Sequence, residues 1–161
     1  MEYLWSPWRM RYITNHETSP ECVFCEAARQ EDGPANLIVA RGDHAYIIMN
    51  RYPYTSGHVM VVPYAHQASF EQLDGESRAE IMELLARVMQ VVRAVYAPEG
   101  FNVGANIGSA AGAGIADHVH FHVVPRWGGD TNFMSSLAST RVLPETLEDT
   151  YQRIYRQWYK A

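Results

Sequence analysis

The chain has 161 residues, 47% of them hydrophobic and 19% charged, with a formal net charge of −5. This profile describes one globular domain with a sizeable core and excludes a disordered chain. The acidic balance argues against a nonspecific nucleic-acid binder, which needs a basic face, and no apolar run reaches transmembrane length, so neither nucleic acid nor a membrane is expected as a partner. Residues 1–13, interrupted by Arg9 and Arg11, lack the apolar stretch of a secretory leader. Two cysteines are too few for a disulfide scaffold, and the expected location is cytoplasmic.

In chain order, Trp5-Ser6-Pro7-Trp8-Arg9 comes first. Two tryptophans in four residues seek burial, so this is an arm that docks on the body or on a partner subunit. Residues 15–21 are polar and turn-like. A short helix begins at Cys22 and is broken by Glu31-Asp32-Gly33-Pro34. Strands are expected at 37–40, 44–50 and 58–63, the third central because it is almost continuously apolar. Ile81, Leu84, Leu85, Val88, Val91, Val92 and Val95 recur at the helical period and predict a long helix over 74–97. Asp74 is its candidate N-cap, with Ser77 to Glu80 as a rival capping box. Glu80, Glu83, Arg87 and Arg93 lie opposite the apolar stripe. Residues 101–106 form a short strand and 108–114 a glycine-rich loop. Residues 126–140 are irregular, Pro144 opens a last helix, and Leu147, Tyr151, Ile154, Tyr155 and Trp158 give that helix one apolar face. Helices and strands do not alternate strictly, so the class is α+β with an antiparallel sheet of about five strands.

The stretch that carries chemistry is His118-Val119-His120-Phe121-His122-Val123-Val124. Alternation with period two makes it a strand: Val119, Phe121 and Val123 enter the core, and the three histidines stand in a row on the other face. One such histidine is ordinarily a hydrogen-bonding polar residue, but three in a row are hard to explain as packing. Two chemistries compete. In one, His-x-His holds a catalytic metal with a third ligand from elsewhere. In the other, one imidazole is a nucleophile towards phosphorus and its neighbours set its tautomer and contact the phosphate. The preceding segment, from Gly104 through Asn106, Gly108 and Gly112 to Gly114, favours the second. Its small residues let backbone N–H groups approach an anion, and it is not a P-loop, because no Gly-Lys-Ser/Thr follows.

These residues resemble the histidine triad (HIT) superfamily of nucleotide hydrolases and transferases. The segment from Met49 and Asn50 through Pro53, Gly57 and His58 to Pro63 is similar to the family's strand-loop-strand, and Asn106-x-Gly108 and Pro125-Arg126 also fit. The Trp5–Arg9 arm and the run from Trp127 through Asp130 to Phe133 resemble a bacterial branch that includes diadenosine tetraphosphate phosphorylases, close to the fragile-histidine-triad hydrolases. The resemblance implies a single HIT domain over 1–161, with an arm over 1–21, a core over 22–126 carrying the motif at 118–124, and a C-terminal loop and helix over 127–161. It implies nucleotidyl transfer from dinucleoside polyphosphates through a covalent nucleotidyl-histidine, by a phosphorylase or a hydrolase. His120 is then the nucleophile and His122 contacts the phosphate and assists the leaving group. His58 is the fourth histidine of the site, Asn50 binds the ribose, and Asn106, Gly112, Ala113 and Gly114 lie along the phosphates. No catalytic metal is needed, although magnesium accompanies the polyphosphate in such reactions. A homodimer is implied, with the long helix and the 101–106 strand near its interface and the arm and last helix completing the partner's site. A nucleoside phosphoramidate hydrolase and a nucleotide-binding protein with weak activity are the alternatives.

Cys22-x-x-Cys25 has three readings of its own: a redox pair, two buried thiols, or half of a zinc site that needs two further ligands. The resemblance supplies those ligands, since several bacterial members hold a structural zinc at positions that match Cys22, Cys25, His66 and His118. His118 then belongs to the metal, and only His120 and His122 act directly. One departure bears on the reaction. The hydrolases carry Gly-Gln-Ser/Thr-Val before the triad, whereas here the segment is Gly112-Ala113-Gly114-Ile115-Ala116-Asp117. The amide and hydroxyl are missing, and the small residues leave room for inorganic phosphate as acceptor.

Overall fold

Among the described residues five strands, β1 (Ile38–Arg41), β2 (Ala45–Met49), β3 (Val59–Pro63), β4 (Gly100–Gly104) and β5 (Phe121–Arg126), form one antiparallel sheet in the order β1-β2-β3-β5-β4. A computed structural model describes residues 21–130 and 143–160. The expected arm at Trp5–Arg9, the turn before Glu21, His16 and the segment 131–142 lie outside the described residues. β3 is central, as its apolar run implies, and all of its residues are buried.

Helix α1 (Val23–Arg29) has Cys22 as its N-cap residue, α2 (Gly75–Tyr96) is the long helix, and α3 (Leu147–Trp158) is the last among the described residues. α2 packs on β2, β3 and β5, and α3 packs on α2 and β1. Ile81, Leu85, Val88, Val91 and Val92 of α2 are buried, which is the stripe that the 3.6-residue period marks. Asp74 is the cap, its carboxylate accepting the Ser77 N–H at 2.7 Å. The rival box is not used. Ser77 is buried, and Glu80 turns away from its own helix to accept the N–H groups of Asp43, His44 and Ala45 at 2.8, 2.5 and 2.9 Å. Glu80 therefore closes the β1–β2 turn rather than standing on a solvated face.

Three boundaries differ from the sequence expectation. The last helix begins at Leu147, because the Thr146 hydroxyl accepts the Asp149 N–H at 3.1 Å and so supplies the cap; Pro144 lies outside it. β4 ends at Gly104, opposite His122, so Asn106 belongs to the following loop. β5 begins only at Phe121: the His118–His120 segment precedes the ladder and is anchored separately, by the Val119 N–H donating to the Gln67 carbonyl at 2.7 Å. The expected single row of three histidines on one strand face is accordingly broken. His118 turns to the cysteines, and His120 and His122 stay together with ring centroids 4.9 Å apart. The opposite face is less uniform than expected too: Val119 and Val123 are fully buried, but Phe121 is half-buried against the Phe70 ring.

Candidate active site and metal centre

The pairing of β3 with β5 sets Met60 opposite His122 and Val59 opposite Val123, which brings His58 to the same end of the sheet as the triad. The turn before it reverses at Gly57, with φ +80°, where an added Cβ would meet the Tyr96 ring at 3.1 Å. His58 is fully buried. Its Nδ1 accepts the Tyr54 backbone N–H at 3.1 Å, and its Nε2 lies 2.9 Å from His122 Nδ1. A ring nitrogen that accepts leaves the proton on the other one. In the neutral chain His58 Nε2–H therefore donates to His122 Nδ1, and His122 carries its proton on Nε2.

His120 is 6% exposed, with Nδ1 2.9 Å from the His118 carbonyl. A carbonyl can only accept, so Nδ1 carries the proton and the Nε2 lone pair is the basic, nucleophilic one. Burial pushes the His120 pKa below the usual histidine value, which keeps the ring neutral. The two adjacent histidines thus present opposite Nε2 chemistry: a lone pair on His120 and an N–H on His122.

The glycine-rich segment is tied to this centre at both ends. It leaves from Gly104, which pairs with His122, and returns through Asp117 into His118. Inside it a 3₁₀ turn, Ser109–Ala111, is bracketed by Gly108 at φ +79° and Gly112 at φ +84°. Asn106 Nδ2 donates to the Gly112 carbonyl at 3.4 Å, and the Ala113 N–H to the Gly108 carbonyl at 3.3 Å. Gly114 is exposed. Asn50 follows β2, its N–H donating to the His58 carbonyl at 3.1 Å and its Oδ1 accepting the Tyr52 N–H at 2.9 Å. The backbone thus fixes Asn50 beside His58 and Asn106 in the loop that follows β4.

A second cluster lies behind the first. One donor atom each from Cys22, Cys25, His66 and His118 falls within 4.8 Å of all the others. His118 Nδ1 is 3.3 Å from Cys22 Sγ and 3.6 Å from Cys25 Sγ, and His66 Nδ1 is 3.3 Å from Cys25 Sγ. Tetrahedral zinc with its usual bond lengths would separate sulfur and nitrogen ligands by about 3.5 Å. His118 Nε2 donates to the Pro63 carbonyl at 2.9 Å, which turns the unprotonated Nδ1 to the thiols, the outer-sphere bond that zinc-binding histidines ordinarily make. Burial first, and then the neighbouring Cys22, push the Cys25 thiol above its ordinary value; a cation between them would relieve that penalty. The residues fit zinc in donor type, number and spacing.

Three contributors to the site went unread in the sequence. The Tyr54 N–H and the Pro63 carbonyl are backbone groups whose role depends on the fold. Phe24 lies between the two cysteines, and its ring packs 4.7 Å from His120 and 5.5 Å from His118. Its position inside Cys22-x-Phe24-Cys25 was the available signal, since a metal ligand on either side delivers whatever lies between.

A HIT domain family model matches residues 32–129. Over 98% of its length the chain is 40% identical to the AP-4-A phosphorylase of Mycobacterium tuberculosis, and covers 85% of that protein. It is 31% identical over 65% of its length to the adenosine 5'-monophosphoramidase of Schizosaccharomyces pombe, covering 74% of it. Among solved structures, a zinc-bound histidine triad family protein from Mycobacterium smegmatis is similar at 25% identity, with a TM-score of 0.69, 88% of this chain and 96% of that one covered. A hypothetical histidine triad nucleotide-binding protein from Sulfolobus tokodaii gives the same TM-score and identity over 86% of this chain and 93% of its own.

Proposed function

The chain belongs to the histidine triad family, and from that premise we propose that it is a dinucleoside polyphosphate phosphorylase that works through a nucleotidyl-histidine at His120. Membership of the family, the fold and the nucleotide-processing enzyme class are as the sequence implies. The observation that carries the mechanism is the bond from His120 Nδ1–H to the His118 carbonyl, which leaves the Nε2 lone pair to act.

In the first step His120 Nε2 attacks the α-phosphorus of the substrate. The bond from that phosphorus to the bridging oxygen breaks, and the leaving nucleotide departs with the oxygen and the electron pair. His122 Nε2–H stabilises the charge that develops on the phosphate oxygens and leaving group. His58 holds that tautomer through its bond to His122 Nδ1. In the second step an oxygen of inorganic phosphate attacks the same phosphorus, the phosphorus–nitrogen bond breaks, and its electron pair returns to Nε2. Diadenosine tetraphosphate and phosphate give ATP and ADP. Asn50 binds the ribose, Asn106 and the backbone of Gly112, Ala113 and Gly114 line the phosphates, and magnesium enters only with the polyphosphate. Phosphate rather than water as acceptor is supported by the small Gly112-Ala113-Gly114 segment and by the 40% identical phosphorylase.

Zinc held by Cys22, Cys25, His66 and His118 supplies a structural crosslink between α1, the segment after β3 and the approach to β5, and the transfer does not use it. The same reading includes a single domain over 1–161 with its arm, core and C-terminal parts, a cytoplasmic location and a homodimer. Dimerisation is supported by β4, an outer strand of the sheet whose Val103 is 45% exposed. Among the described residues no helix is long and apolar enough to cross a membrane.

The test is product analysis with diadenosine tetraphosphate. ATP and ADP formed only when phosphate is present support the phosphorylase. AMP and ATP formed without phosphate overturn it in favour of a hydrolase. Turnover of adenosine 5'-phosphoramidate alone favours the second reading, supported by the 31% identical phosphoramidase.

A further inference from the structure

α1 is only seven residues long, yet it serves both clusters at once. Cys22 caps its N-terminus and Cys25 lies in its first turn, so the metal ligands flank Phe24. The Phe24 side chain is 5% exposed and sits against the rings of His118 and His120, with its centroid 4.7 Å from the His120 ring at an interplanar angle of 46°. Its carbonyl accepts the hydroxyl of the fully buried Tyr46 at 2.8 Å, which ties this point of the helix to β2.

An imidazole held by one hydrogen bond at Nδ1 can still swing about its Cβ–Cγ bond. A buried aromatic wall restricts that freedom, and the His122 ring, with its centroid 4.9 Å away, restricts it further. We propose that Phe24 is a positioning residue for the nucleophile: delivered by the helix between the two cysteines, its ring holds the His120 imidazole on its bond to the His118 carbonyl. This rests on His120 being the nucleophile. His118 joins the same arrangement, since its ring faces the thiols while its carbonyl holds His120. The metal cluster and the nucleophile are thus connected twice, through the His118 backbone and through the Phe24 ring.

The test is Phe24→Leu, which keeps an apolar side chain in the site and removes the flat ring. Turnover of diadenosine tetraphosphate with phosphate, bound zinc, thermal midpoint and the long-range ¹H–¹⁵N spectrum of the His120 ring are measured on wild type and variant. The expected result is a kcat lowered roughly tenfold or more with KM within about twofold, because misorientation costs rate rather than binding. Bound zinc stays at the wild-type level, and the His120 ring changes from one tautomer to a mixture. An unchanged kcat overturns the proposal, and so does a raised KM with kcat retained, which would make Phe24 a nucleotide contact. If the leucine variant fails to fold, Phe24→Met, unbranched and close in volume, is read by the same criteria. A wild type that does not turn over the substrate removes the phosphorylase reading but not the test: a single His120 tautomer in both proteins still overturns the role of Phe24, and a mixture in the variant alone supports it.

Discussion

The two ends of the triad segment use the same side chain for opposite purposes. At the His118 end, Nε2 donates to the Pro63 carbonyl and Nδ1 faces two thiols. At the His122 end, Nδ1 accepts from His58, whose own Nδ1 accepts the Tyr54 N–H. Between them His120 donates through Nδ1 to a backbone carbonyl. In each case the chemistry of the outward nitrogen is decided by the partner of the inward one. A histidine's role is therefore written in its hydrogen-bond partner, which for His118 and His122 comes from a distant part of the chain and for His120 is the carbonyl two residues before it.

If the two ends differ in this way, substitutions should separate stability from turnover. The largest effect is expected from His120→Asn. Loss of the proposed nucleophile should lower turnover by about 10³-fold or more while the thermal midpoint stays near wild type; steady-state kinetics beside a melting curve checks both. At the other end, Cys22→Ser should release the metal and lower stability by about 3 kcal/mol or more, read as zinc content by elemental analysis and as a fall in thermal midpoint. Chelation of the wild type should produce the same loss of stability. Immediate loss of turnover with the midpoint unchanged would make the metal catalytic instead. Next comes His58→Ala, which removes the donor to His122 Nδ1 and lets that ring take either tautomer. A fall in kcat of about 10–100-fold with a small change in KM is expected.

The smallest effect belongs to a residue remote from both ends. Glu80→Gln replaces a carboxylate that accepts three backbone N–H groups by an amide that accepts less strongly. Denaturant unfolding should show a loss of about 1–2 kcal/mol, with kcat unchanged.

Periodicity revealed most of the fold and chemistry revealed the type of site. The apolar 58–63 run and the 3.6-residue stripe of α2 put their residues where the structure has them, because burial follows local period, whereas the alternating triad is a strand only from Phe121 onward. Cys22, Cys25, His66 and His118 assemble as the family resemblance implies, although 96 residues separate Cys22 from His118. What stayed hidden depends on contacts that no local pattern encodes. Glu80 lies on the polar side of its helix by period, but its carboxylate meets the N–H groups of a turn 35 to 37 residues away. Pro144 is a good first helical residue, yet the Thr146 hydroxyl makes the cap two positions later. The triad strand starts at Phe121 because Gln67 takes the Val119 N–H before the ladder begins. Phe24 resembles any buried aromatic until the fold sets it on the His120 ring.

The most direct measurement is to quench the wild type after incubation with diadenosine tetraphosphate in the absence of phosphate, digest it at neutral to alkaline pH, and map the adduct to its residue by fragmentation mass spectrometry. A nucleotidyl group on His120 itself, discharged to ADP on adding phosphate and absent from His120→Asn, is the predicted result. An adduct on His122 or His58, or full turnover by His120→Asn, would contradict it.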